Sequence, residues 1–259
     1  MGTSEGRIEG GRQPPPGAAT CHLEWKGGDS DIGNLRLKRV NDGKRGRAVA
    51  VVLGGLIHSS INVPSPLPFI LASASPRRTE LLREAGLPHR VVVAAVTEHE
   101  DPTTDPAKMV LHNARLKAAA VSRLHPEALV LGSDTTVALG DRALNKPADL
   151  TESRAMLRSL SGREHTVHTG VCLLCPALKI DEAHDVTAWV RFRPLTDDDI
   201  ARYQGLVNTL DKAGAYGIQE GREIIIADYQ QPISTIMGLP VEFVKARLAA
   251  LGILERITS

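Results

Sequence analysis

From residue 67 onward the sequence predicts an α/β domain, a mixed and twisted sheet flanked by helices. Three observations carry that expectation. Short aliphatic or β-branched runs alternate with segments of helical period. The helical segments carry start and stop signals. One Gly-Asp turn folds a strand back on itself, so an antiparallel hairpin interrupts the strand–helix alternation and the sheet is mixed rather than wholly parallel.

Leu67–Ala72 reads as a short buried strand. Ser75-Pro76 reads as a helix start, with Ser75 as N-cap and proline at the first helical position. That helix runs through Leu81, Leu82 and Ala85 to Gly86, whose freedom at positive φ ends it. Val91–Val96 is β-branched and strand-like. Asp105–Arg123 places Met109, Val110, Ala114 and Leu116 at helical spacing. Ala128–Leu139 is a second central strand, which Gly140-Asp141 turns back into Arg142–Asn145. Asp149-Leu150-Thr151-Glu152 has capping-box spacing and opens a helix to Leu160, with Gly162 behind it. Val167–Leu174 and Asp185–Phe192 read as strands, Thr196 with Asp199 caps another helix, and Ile224–Ala227 is a short strand. Pro240–Leu251 closes the domain as a helix stopped by Gly252.

Residues 1–66 have a different texture, with glycine pairs, the run Pro14-Pro15-Pro16, scattered charge and little periodicity. Only Ala48–Ile57 is apolar enough for a short strand or helix. The segment reads as a mostly disordered N-terminal extension, which puts the domain at 67–259.

Composition excludes several classes. A 259-residue chain that is 42% hydrophobic and 24% charged is ordinary for a globular protein. A net charge of +1 gives no global argument for nucleic acid or a membrane surface, so anion binding has to come from local groups of Arg and Lys. Aromatic content of 3% argues against a base-stacking surface. No apolar run reaches the roughly 18 residues of a membrane span. The N-terminus lacks an apolar core behind a basic start, and Glu5 and Glu9 sit where organellar leaders avoid acids. Three cysteines, Cys21, Cys172 and Cys175, are too few and too odd for a disulfide framework, so the cytoplasm is the expected compartment. Cys172 and Cys175 form a C-x-x-C without a second ligand pair, which reads as two small buried residues on a strand rather than a zinc site.

Candidate chemistry gathers at few places. Ser73-Ala74-Ser75-Pro76-Arg77-Arg78 lies where a strand becomes a helix. The first turn of a helix presents unpaired N–H groups and a positive dipole end, two hydroxyls can donate, and two guanidinium forks suit phosphate. A capped surface helix with two solvated arginines explains the same residues. Gly132-Ser133-Asp134-Thr135-Thr136 sets a carboxylate at the polar end of an apolar run, placed to bind a metal or take a proton from water. An Asx-type turn would read the same way. Asn145-Lys146-Pro147 ends the hairpin and brings Lys146 back toward Asp134. Asn113–Lys117 is a basic helical face with Arg115 and Lys117, which a solvated face also explains, and Glu98 follows the Val91–Val96 run. Asp211–Gln219 has the small residues of a tight loop, with Gln219 able to read amide and carbonyl edges. Taken together, arginines for phosphate, strand-end acids and intervening lysines fit metal-assisted phosphoryl or nucleotidyl chemistry. Walker-A spacing, H-E-x-x-H and G-x-S-x-G are all absent.

These pieces, with Gly238-Leu239-Pro240, occur in the order found in the Maf family, also called septum-formation inhibitor proteins, and the chain resembles that family from about residue 67 to 253. The resemblance implies a single Maf/ITPase-like domain with a substrate cleft between two lobes, a possible homodimer, and no nucleic-acid or membrane partner. It implies a nucleoside triphosphate pyrophosphatase that releases the monophosphate and pyrophosphate with Mg²⁺ or Mn²⁺. Asp134 matches the family's proton acceptor. Ser73, Arg77, Glu98, Lys117 and Lys146 match its phosphate- and metal-handling positions, with Glu98 and Asp134 as metal ligands and Lys146 and Glu98 beside Asp134 in the catalytic set. Arg78, Thr135 and Gln219 match positions tied to substrate choice and resemble the dTTP/UTP branch rather than the branch preferring 7-methyl-GTP. The segment Glu220–Pro232 departs from the family pattern. Two rivals share the architecture: a non-catalytic nucleotide sensor that halts cell division, and a purine (ITP or XTP) pyrophosphatase.

Overall fold

A computed structural model describes residues 66–258 and three short strands before them. The chain divides into two compact units, Met1–Ser60 and Ile61–Ser259. In the first, β1 (Arg36–Lys38), β2 (Val49–Val52) and β3 (Gly55–Ile57) pair antiparallel in that order. Apart from these strands, the expected disorder of residues 1–66 lies outside the described residues.

The second unit is a mixed α/β structure, as the alternation of its segments predicted. Its strands are β4 (Phe69–Ala72), β5 (Arg90–Val91), β6 (Leu129–Leu139), β7 (Arg142–Leu144), β8 (Glu164–Cys175), β9 (Ile180–Phe192) and β10 (Ile226–Tyr229). They form one sheet in the order β10-β9-β8-β6-β4-β5, with β7 also on β6. β4 pairs parallel with both β5 and β6, and the other pairings are antiparallel. The helices are α1 (Pro76–Glu84), α2 (Pro106–Ser122), α3 (Leu150–Leu160), α4 (Asp197–Leu206), α5 (Arg222–Ile225), α6 (Ile233–Ile236), α7 (Val241–Ala250) and α8 (Leu254–Thr258).

Strand alternation splits β6 between two faces. Val130 and Gly132 face α2, packed with Ala114, Ala118 and Val121. Leu129 and Leu131 face a cluster built with α1, α7 and α8, while Val137, further along the same face, joins a second cluster with α3 and α4. Met237 packs against both clusters. Cys172 and Cys175 are buried free thiols, and they join different clusters because an i, i+3 pair on a strand points to opposite faces. That geometry suits two small core residues and not a shared metal.

The structure changes several expected boundaries. Val91–Val96 is not a strand: β5 stops at Val91, having paired only with Ile70 and Leu71 of the four-residue β4. The chain then runs without helix or strand to Asp105. β9 starts at Ile180, not Asp185, because full pairing with β8 carries its polar first half along. Ile224–Ala227 is half helix, with β10 beginning at Ile226. Thr196 and Asp199 form a complete capping box. At α3, Asp149 accepts from the Glu152 N–H, but the Glu152 carboxylate turns to the N–H of Ala148. Ser75 is the N-cap of α1 with extended backbone and no side-chain cap bond.

Candidate active site

The sheet itself makes the site. β8 covers one edge of β6 from Val130 to Ala138. The other edge is taken by β4 at Leu129–Gly132 and by β7 at Val137–Leu139. Between them Ser133–Thr136 lack a strand partner on that edge. A cleft of about 540 Å³ opens there, beyond the carboxyl end of β4 where α1 begins. It is the place where open α/β sheets bind ligands.

Ser73, Arg77, Arg78, Glu98, Lys117, Asp134, Thr135 and Lys146 all line this cleft. Gln219 does not. It is exposed in an adjoining cavity of about 760 Å³, which shares Met237 with the cleft.

The two arginines of α1 divide. Arg77 is half-buried and has no hydrogen bond or ion pair among the described residues. Arg78 is buried and spends its fork inside the protein. Its Nε donates to Gly238 O at 2.8 Å, one Nη to Ser73 Oγ at 3.0 Å and the other to Thr135 Oγ1 at 3.0 Å. Burial holds its pKa below the ordinary guanidinium value against the opposing pull of Asp134 and Glu98. Ser73 Oγ also accepts from the Ser75 N–H at 3.2 Å. With no side-chain cap, the first N–H groups of α1 stay available to an anion.

Asp134 and its partners come from two elements. It projects from β6 toward α2, whose backbone lies unusually close to the sheet. A Cβ on Gly132 would sit 2.1 Å from Ala114 O, and one on Gly170 would sit 2.3 Å from Val110 O. Only glycine admits that approach. On the near face of α2, Asn113 and Lys117 are four residues apart and therefore adjacent. Lys117 Nζ lies 2.8 Å from Asp134 Oδ1 and 2.5 Å from Glu98 Oε2, and Asn113 Nδ2 donates to Asp134 Oδ2 at 3.0 Å. Burial by itself pushes the Asp134 pKa upward, but the charge and hydrogen bond of Lys117, the charge of Arg78 and the bond from Asn113 outweigh it. The net position is below the usual carboxylate value.

Lys146 is exposed and, like Arg77, has no hydrogen bond or ion pair among the described residues. Lys212, also in the wall, is committed elsewhere: Nζ donates to Asn208 O at 2.6 Å and pairs with Asp211 at 2.8 Å, its stem crossing Gly217. Arg77 and Lys146 are thus the cations left for a ligand. Among the described residues no cluster of three or more His, Cys, Asp or Glu could hold a metal. Glu98 and Asp134 nonetheless meet at the Lys117 ammonium, so two carboxylates stand side by side in the cleft wall with further oxygen lone pairs to offer. That donor set fits a hard divalent ion completing its shell with phosphate oxygens and water.

Sequence reasoning gave no role to Asn113, Lys212, Tyr216 or the carbonyl of Gly238, although each lies in a stretch it singled out. Only Asn113 had a readable signal, its i, i+4 spacing to Lys117. The Gly238 carbonyl accepts from Arg78, Ser133 and Thr135, which no spacing in the sequence announces.

The family model described as Maf-like protein matches residues 68–251. Several curated proteins named dTTP/UTP pyrophosphatase are similar to this chain. The one from Akkermansia muciniphila is 44% identical over 185 residues, covering 71% of this chain and 97% of that protein. The Deinococcus radiodurans protein is 44% identical over 186 residues, 71% and 93% respectively. The Bacillus cytotoxicus protein is 42% identical over 175 residues, 67% and 90%.

Proposed function

The chain belongs to the Maf-like protein family, and on that premise we propose that it is a nucleoside triphosphate pyrophosphatase acting on dTTP and UTP, with the catalytic domain at 67–259. The observation that carries this reading is the company Asp134 keeps: a half-buried carboxylate, held ionised by its neighbours, in a cleft that also holds two uncommitted cations and an uncapped helix start.

The triphosphate lies against the N-terminus of α1, with Arg77 and Lys146 neutralising its oxygens. Glu98 and Asp134 would hold a Mg²⁺ or Mn²⁺, which supplies charge neutralisation and orientation of the phosphates. Asp134 orients a water and takes its proton as the oxygen attacks the α-phosphorus in line, and pyrophosphate leaves. Lys117 holds both carboxylates in place meanwhile. Fixed charges supply most of the acceleration, with about 10²–10⁴-fold from the base. Base choice is assigned to Arg78, Thr135 and Gln219. Each Arg78 nitrogen already has a partner, so it acts on the base mainly through Thr135, and a pyrimidine meets Gln219 by reaching past Met237. A homodimer in the cytoplasm is part of the same proposal, and the buried free thiols support a reducing compartment. No helix among the described residues is long and apolar enough to cross a membrane.

A panel of triphosphates with pyrophosphate detection tests the reading. Release from dTTP and UTP is expected, and Asp134→Asn should abolish it while remaining folded. No release from any triphosphate would favour a nucleotide sensor, and preference for ITP or XTP a purine enzyme.

A further inference from the structure

The segment between β5 and α2, Val92–Asp105, carries Glu98 but has no helix or strand to hold it. Few hydrogen bonds fix it near the cleft. Asn145 Nδ2 donates to Glu100 O at 2.8 Å. At His99 both backbone groups are bound by one side chain. The His99 N–H donates to Asn113 Oδ1 at 2.8 Å, and Asn113 Nδ2 donates to His99 O at 2.9 Å. The same Nδ2 gives its second hydrogen to Asp134 Oδ2 at 3.0 Å. Asn113 is buried, at 2% exposure. Its amide orientation is dictated, because a flipped amide would set its NH₂ against the His99 N–H and its oxygen against a carbonyl and a carboxylate.

One side chain therefore ties the backbone next to Glu98 to the carboxylate of Asp134. No other residue type does this. Aspartate cannot donate, leucine offers nothing polar, and glutamine is a methylene too long. Asn113 stands on α2 and is not among the residues that line the open cleft.

We propose that Asn113 is a positioning residue that sets Glu98 and Asp134 in a common register by latching the Glu98 loop to the base. The inference rests on the pyrophosphatase reading, but the latch can be observed without turnover. Amide hydrogen exchange on the full-length wild-type protein should show His99 protected, while Glu98 and Glu100, whose N–H groups have no acceptor among the described residues, exchange freely. Exchange of His99 at the rate of its neighbours would overturn the latch, whether or not any variant folds. Asn113→Ala should abolish that protection. It should also lower kcat by about 10- to 100-fold, the range for losing an orienting partner, with KM for dTTP within about threefold because Arg77 and Lys146 are untouched. Asn113→Asp keeps one acceptor but sets its other oxygen against the His99 carbonyl and the Asp134 carboxylate, so it too should lose kcat and loosen the His99 contact. A folded Asn113→Ala protein with wild-type kcat would sink the proposal while leaving the pyrophosphatase reading intact. A wild-type protein that turns over no triphosphate would remove that reading and leave the exchange result to stand or fall alone.

Discussion

His165 stands behind the cleft wall, buried to 3% exposure, with Nε2 2.8 Å from the Tyr216 hydroxyl. Its ring meets Phe192 and Tyr216 edge to face at 5.0 and 5.4 Å between centroids. Nδ1 has no partner among the described residues. Burial disfavours the imidazolium and depresses the pKa from 6.5 to about 4. The linkage follows from that direction. Above pH 6.5 the ring is neutral folded or unfolded, and the full stability is present. As pH falls from 6.5 toward 4 the unfolded chain takes up a proton that the folded protein does not, so stability drops, by up to about 3 kcal/mol across the window. Urea unfolding at pH 7 and at pH 4.5 measures this. His165→Gln, which cannot protonate, should flatten that part of the pH dependence, and an unchanged slope would acquit His165. Arg78 and the half-buried Asp134 make the complementary point: each charge is tolerated because each guanidinium nitrogen and each carboxylate oxygen has a partner.

Among the elements, α2 decides the site. It crosses the sheet at Gly132 and Gly170, where its own carbonyls occupy the space a Cβ would need. That close approach brings Asn113 and Lys117 within hydrogen-bond reach of Asp134. Gly170→Ala should therefore lift the helix. The expected cost is about 1–3 kcal/mol of stability, as for other overpacked contacts, with kcat falling as Lys117 and Asn113 withdraw. Urea titration and steady-state kinetics on the same preparation check both. If neither changed, the glycine contact would not be what places α2. The short β5 has the opposite role. By ending at Val91 it frees the following residues to bend toward Asp134 and deliver Glu98.

At the scale of the whole molecule, the cleft lies where two apolar clusters meet on one face of the sheet, with Met237 packed against both. One cluster contains α1 and so carries the arginines; the other contains Tyr216 and the wall around Lys212. A nucleotide held in the cleft touches both and should stabilise the fold by mass action. A non-hydrolysable dTTP analogue with Mn²⁺ at 100 times its Kd should add about 2.7 kcal/mol, read as a rise in Tm by calorimetry. Absence of any shift with pyrimidine or purine triphosphates alike would count against the cleft as a nucleotide site.

Most of the order of strands and helices from Leu67 to Leu251 was legible in the sequence, because period and capping signals are local, but the one-turn α5 and α6 were not. The motifs that hold Ser73–Arg78, Asp134, Lys117 and Lys146 were legible as candidates too, because short strings are local, and the fold brings them into one cleft. Other features depend on partners far along the chain, and no local pattern fixes them. β9 is a strand along its polar half only because β8 pairs with it. The separate fates of Arg77 and Arg78 depend on Gly238, Thr135 and Ser73 arriving from different parts of the chain. Asn113 became part of the site through His99 and Asp134, and Gln219 fell into the neighbouring cavity, by packing alone. The sequence by itself determined which chemical groups this protein has and in what order. Tertiary structure decided which of them share a cleft, because hydrogen bonds and burial act between neighbours in space whatever their separation along the chain.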